Sequence, residues 1–136
     1  MATSDIDVFR ASLNRCLADQ RFLRDFYELF MASAPEVRDK FKNTDFPRQT
    51  RVLADSLYLM AVAAESKEDA IAWQELDRLA ETHSRRGLDI KPELYDGWLD
   101  CLVKAASRYD ALFSSAIDAA WRNALTPGIA HLRSRY

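Results

Sequence analysis

The stretch Leu76–Ile90, LDRLAETHSRRGLDI, holds one of only two histidines in the chain. Counting back from His83, Ala80, Leu79, Leu76 and Ala72 fall three, four, seven and eleven residues away, which is the spacing of one helical face. The imidazole is therefore expected to point where the leucines point. There it must find a hydrogen-bond partner, stay neutral at a cost, or bind something that is not protein.

Outward from that segment, the same three-and-four spacing continues. With three glycines, four prolines and no convincing period-two alternation, the whole chain reads as helix. A first helix is expected after Ser4, whose Asp7 three residues on resembles a capping box, burying Ile6, Phe9, Leu13 and Leu17. A second, from about Asp19, carries Phe22, Leu23, Phe26, Tyr27, Leu29, Phe30 and Met31, too many for a single stripe, so it should be covered on two sides. Pro35 opens a short helical turn to Phe41, followed by the polar corner KNTD. Pro47 opens a fourth helix with the inward row Gln49, Leu53, Leu57 and Met60, flanked by Val52 and Leu59. Ser66, with Asp69 three on, restarts a helix carrying Ile71, Leu76, Leu79 and His83 to a stop at Gly87. The sixth helix begins at Pro92, buries Leu94, Trp98, Leu99, Leu102 and Val103, and ends near Tyr109. Asp110 is expected to cap the last, which buries Leu112, Phe113, Ile117, Trp121 and Leu125, with a kink or break at Thr126–Gly128, TPG.

A chain of 136 residues, 49% hydrophobic and 29% charged, reads as one domain over residues 1–136. Its 19 basic and 21 acidic residues are interspersed, leaving no basic face for nucleic acid. No apolar stretch reaches the ~18 residues of a membrane span, and the charged start MATSDIDVFR does not suit a signal peptide. The expected location is the cytoplasm, without a nucleic-acid or membrane partner. Cys16 and Cys101 lack the spacing of a zinc or redox motif and are expected as buried free thiols.

Two histidines on a helical scaffold exclude several chemistries. A di-iron bundle needs Glu-x-x-His on two helices, but Ala80 and Gly128 stand three before His83 and His131. There is no His-Glu-x-x-His, no glycine-rich phosphate loop, and no recognisable motif pairing a serine or cysteine with a histidine. What remains is an inward histidine, an inward glutamine and an aromatic-rich second helix. Each has an ordinary explanation when taken alone: a satisfied core histidine, a helix-start glutamine, a core tyrosine bonded to backbone.

Their order is more informative, because the chain resembles the globin family along nearly its whole length. FYELFMASAPEVRDKF, Phe26–Phe41, is similar to the family's B and C helices, with Pro35 as the C-helix proline and Phe41 as the phenylalanine that stacks on haem. RQTRVLADSLYLM resembles the E helix, and LDRLAETHSRRG the F helix ending in the proximal histidine. The resemblance implies an all-α, three-over-three globin-like fold around a b-type haem (protoporphyrin IX iron) bound without covalent attachment. His83 would be the metal ligand at a five-coordinate iron, open on its other side to oxygen, nitric oxide or carbon monoxide. The Leu79 carbonyl and the Thr82 hydroxyl would accept the second imidazole proton. Tyr27, Gln49 and Leu53 would stand on the distal side, with Leu57 further along the same wall.

Arg48, Arg51, Arg85 and Arg86 are either solvated charges or partners of the haem propionates. In relatives that push electron density onto iron, a tyrosine and a glutamate bond the proximal histidine. Tyr95 matches one such tyrosine, but Leu125 and Tyr136 stand where the last helix would supply the rest, so peroxidase-like activation is not expected. No reductase or signalling domain is expected within these residues. Reversible gas binding is the leading expectation, in a monomer or a homodimer using surface residues such as Trp73 and Tyr136. Nitric oxide dioxygenation with a separate reductase, or a non-haem sensor or interaction module, are the alternatives. His131 is expected to be an ordinary surface histidine.

Overall fold

The computed structural model describes residues 4–136 and contains seven helices and no strands among them. They are α1 (Asp5–Leu17), α2 (Arg21–Ser33), α3 (Pro35–Lys40), α4 (Phe46–Glu65), α5 (Ala70–His83), α6 (Leu94–Tyr109) and α7 (Ser115–Ser134). No helix among the described residues is long and apolar enough to cross a membrane.

Local chemistry fixes most of the starts. Ser4 accepts from the Asp7 amide, Asp45 from the Arg48 amide, Asp69 from the Ala72 amide and Ser114 from the Ile117 amide, each side chain satisfying an orphan donor of a first turn. Pro35 and Pro47 sit in the first turns of α3 and α4, where a missing N–H costs nothing. Two expected caps are corrected here. Ser66 closes α4 instead of opening α5, a role that falls to Asp69. Asp110 closes α6, and Ser114 caps α7. Leu112 consequently lies in the intervening turn and is exposed, as is Ile71 on the outer side of α5.

Of the kink or break expected at Thr126–Gly128, the break does not occur. Helix α7 runs unbroken to Ser134, although the missing Pro127 N–H leaves the Asn123 carbonyl without its usual helical donor. Packing compensates on both sides of the proline. Ala124, Leu125, Gly128 and Ile129 are buried, and a Cβ at Gly128 would stand 2.6 Å from the Met60 Cε. That close approach lets α7 cross α4.

Helix α7 packs on α1, α4 and α5, while α2 packs on α6. The wholly buried Trp121 meets Phe9 edge-on at 4.8 Å and Phe22 at 6.1 Å between ring centroids. Its indole N–H donates to the Ser12 Oγ at 2.8 Å, and the Ser12 hydroxyl donates to Asp110 at 2.6 Å. Arg15 and the Leu112 amide complete the bonding of that carboxylate. Burial pushes the Asp110 carboxyl up, but the bonds from Arg15, Ser12 and Leu112 outweigh it and hold the group below its ordinary range. Cys16, nearby, is buried as expected, and burial pushes its thiol up to about 12. Cys101 is only partly covered, so the expectation of two buried thiols holds for one; both are free.

Candidate functional site

One cleft with a cavity volume of about 140 Å³ opens to the surface through a wider mouth. It lies between α4 on one side and α5 with the segment leading into α6 on the other, with α2 and α7 also contributing to its walls. Its lining is mainly aliphatic and aromatic, with few polar groups: chiefly Tyr27, Gln49, Ser56, His83 and Lys40.

His83 is the last residue of α5, and its ring reaches this cleft because Leu76, Leu79 and Ala80 on the same face press α5 inward. Its Nδ1 lies 2.7 Å from the Leu79 carbonyl. A carbonyl can only accept, so Nδ1 carries the proton and the Nε2 lone pair is free. Burial lowers the imidazole pKa, and the Leu79 bond offsets part of that effect. The ring is thus held neutral and oriented, as a metal-ligating histidine requires. Thr82 is not an orienter: its hydroxyl donates to the Arg78 carbonyl one turn back, on the exposed side of α5. Gly87 is not the helix stop either. The helix ends at His83, and the turn beyond doubles back so that the Leu88 amide reaches the Thr82 carbonyl at 2.8 Å. Gly87 is required there because a Cβ would collide with that carbonyl.

Tyr27 is buried, its ring held edge-on among Phe26 (4.9 Å), Phe41 (5.3 Å) and Phe46 (5.5 Å). Burial pushes its hydroxyl up to about 12, with hydrogen bonding from Gln49 opposing the rise. The phenol stays protonated and able to donate near neutral pH. Phe41, Gln49, Leu53, Leu79 and Tyr95 also line the cleft, and burial raises the Tyr95 hydroxyl to about 12.

Leu57 does not reach the cleft. It is wholly buried in the core, and Ser56 and Met60 occupy the corresponding wall. At about 100° per residue, positions 49, 53, 56 and 60 share a narrow stripe, and 57 is turned away from its centre. Val52, expected to flank an inward row, is nearly half exposed, at 45%, beside the cleft.

None of Arg48, Arg51, Arg85 and Arg86 lines the cleft. Arg85 instead donates to the Tyr136 carbonyl and lies over the Tyr136 ring at 4.7 Å. The lining cation is Lys40, whose ammonium donates to the Leu88 carbonyl at 2.8 Å. Sequence reasoning missed it because charge at the end of a short helix carries no directional signal. His131 departs from an ordinary surface histidine: Nε2 lies 2.6 Å from Asp77 and the ring meets Trp73 edge-on at 5.3 Å. Trp73 also donates to the Ser66 carbonyl, so its polar edge is satisfied within the chain. Among the described residues, no group of three or more histidine, cysteine, aspartate or glutamate side chains is placed to hold a metal ion.

The comparisons with known proteins agree with this architecture. A family model described as Globin matches residues 24–132. A solved structure of a Pseudomonas aeruginosa protein, described as structurally highly homologous to a human haemoglobin, is 37% identical, covers 98% of both chains and superposes with a TM-score of 0.91. No curated protein sequence matches. The all-α, globin-like fold expected from the sequence is the observed one, and the chain belongs to the globin family.

Proposed function

We propose that the cleft holds a b-type haem and that the protein binds a diatomic gas there. The observation that carries this reading is the His83–Leu79 bond of 2.7 Å, which leaves Nε2 unprotonated in a largely apolar cleft. The residues fit the group. Phe41, Leu53 and Leu79 offer apolar surface to a flat macrocycle, and neither cysteine lines the cleft for covalent attachment. Lys40 is the cation available to an anionic edge of the macrocycle, exchanging the Leu88 carbonyl for a carboxylate.

Haem, when bound, would supply an iron able to take up a small gas. His83 would hold that iron through Nε2, with Leu79 fixing Nδ1. Tyr27 keeps its proton, and with Gln49 it offers the donors that polarised oxygen would accept. The surrounding phenylalanines exclude water and fix the tyrosine ring. The reading is tested by titrating the purified chain with haem, reducing it and adding carbon monoxide. A stoichiometric, gas-sensitive visible spectrum is the expected result; a chain that takes up no haem would refute it.

A further inference from the structure

Basic and acidic residues are interspersed along the sequence, but the fold gathers unpaired basic side chains at one place. Lys40 and Val52 are the exposed residues of the cleft lining and mark its mouth. Two segments flank that mouth: residues 38–51, which give the lining Lys40, Phe41 and Gln49, and residues 84–91, which follow His83 and give it Ile90. The Lys40 ammonium, donating to the Leu88 carbonyl at 2.8 Å, joins them. Together the segments hold eight basic and three acidic residues, a formal +5 in a chain of −2, which leaves −7 for the rest. Among the described residues none of those eight is in an ion pair, whereas seven of the eleven lysines and arginines elsewhere are. Arg48, Arg51 and Arg86 are exposed and do not line the cleft, so its contents leave their charge unused. Two of the large exposed aliphatic side chains, Val52 and Leu88, stand at the same rim.

We infer that this rim is the docking surface for an acidic one-electron donor protein, which reduces iron held in the cleft. The inference rests on the haem reading above. Oxygen binds to ferrous iron, so an electron must reach the cleft, and the mouth is where the contents come nearest the surface. In the step itself the donor's reduced centre gives up one electron, ferric iron becomes ferrous, and no bond or proton moves. Unpaired charge steers an oppositely charged partner and raises the encounter rate, and electron-transfer encounters need little buried area. Two carboxylates of a macrocycle seated at the mouth would still leave the rim at +3. Asp39, Asp45 and Asp89 interrupt the basic residues and break the continuous track that a phosphate backbone follows. Two aliphatic side chains are too little apolar surface to anchor the chain on a bilayer. An acidic protein face meets both the charge and the small apolar contact.

The test uses the full chain, flavodoxin as an acidic one-electron donor, and a variant combining Arg48→Glu, Arg51→Glu and Arg86→Glu, which takes the rim from +5 to −1. With ferric haem loaded, stopped-flow reduction by reduced flavodoxin at low salt should slow about tenfold or more in the variant, and added salt should erase the difference. Reduction by the uncharged deazariboflavin semiquinone should be equal in both forms, which separates docking from a change in the cleft. In amide NMR of the chain without haem, oxidised flavodoxin should shift signals within residues 38–52 and 84–91 of wild type and leave the variant unmoved. Equal flavodoxin rates in the two forms, or shifts confined to other residues, would overturn the proposal. So would wild type binding phosphatidylserine vesicles at a salt concentration where flavodoxin shifts nothing. The NMR arm needs no iron, so a chain that took up no haem would refute the function while the rim is judged separately.

Discussion

The Nδ1 of His83 and the carbonyl of Leu79 meet at 2.7 Å, one turn apart on α5. This bond fixes which nitrogen is free, and burial lowers the pKa of the ring from its ordinary 6.5. The unfolded chain therefore binds a proton in a pH window where the folded, haem-free chain does not. Stability is present above pH 6.5 and declines as pH falls from 6.5 through the lower folded value. Urea unfolding of the haem-free chain should show this decline, and His83→Leu should remove it. An unchanged pH profile in the variant would contradict the account.

Tyr27 carries the distal prediction. Removing its hydroxyl with Tyr27→Phe deletes a donor while keeping the ring among Phe26, Phe41 and Phe46. A hydrogen bond to a charged or strongly polarised acceptor is worth about 1.5–3 kcal/mol, so the oxygen dissociation rate should rise about ten- to hundredfold. Stopped-flow displacement measures it, and an unchanged rate would remove Tyr27 from the site.

Asp110 accepts from Ser12, Arg15 and the Leu112 amide, joining α1 to the turn before α7. Asp110→Asn should cost about 2 kcal/mol, because the charge-assisted bonds weaken while Arg15, partly exposed, regains water. The folded carboxyl is held below its ordinary 3.8, so this contribution is present above pH 3.8 and lost as pH falls through the folded value. Acid unfolding of the two forms should accordingly converge at low pH. A constant difference in stability across the titration would contradict the assignment.

Gly87 is required by the return of the chain against the Thr82 carbonyl, immediately after His83. Gly87→Ala forces backbone to move and should destabilise by about 2 kcal/mol. Because the turn continues from the histidine, haem loss should also quicken. Urea midpoints and haem transfer to an acceptor globin measure the two effects, and a neutral substitution would show that the turn relaxes freely.

The sequence made the helices legible wherever apolar spacing and capping side chains agreed. Pro35 and Pro47 lie in the first turns of their helices, and the inward face of α5 carries Leu76, Leu79, Ala80 and His83 as the spacing implies. Periodicity could not separate the two inward directions on α4, which is why Leu57 belongs to the core while Met60 lines the cleft. Competing capping residues were also ambiguous: Ser66 and Asp69 both suit a helix start, and the path of the chain decides between them. Contacts between distant segments left least trace. Lys40 with Leu88, His131 with Asp77, and Ser12 with Asp110 are joined by tertiary packing alone.

The central claim is that His83 would hold the haem iron, and the ferrous-carbonyl spectrum tests it most directly. Wild type and His83→Ala should be reconstituted with haem and compared, with circular dichroism confirming that both retain helix. The account predicts a histidine-ligated spectrum in wild type, its loss in His83→Ala, and its return when free imidazole is added to His83→Gly. A His83→Ala protein with the wild-type spectrum would contradict it.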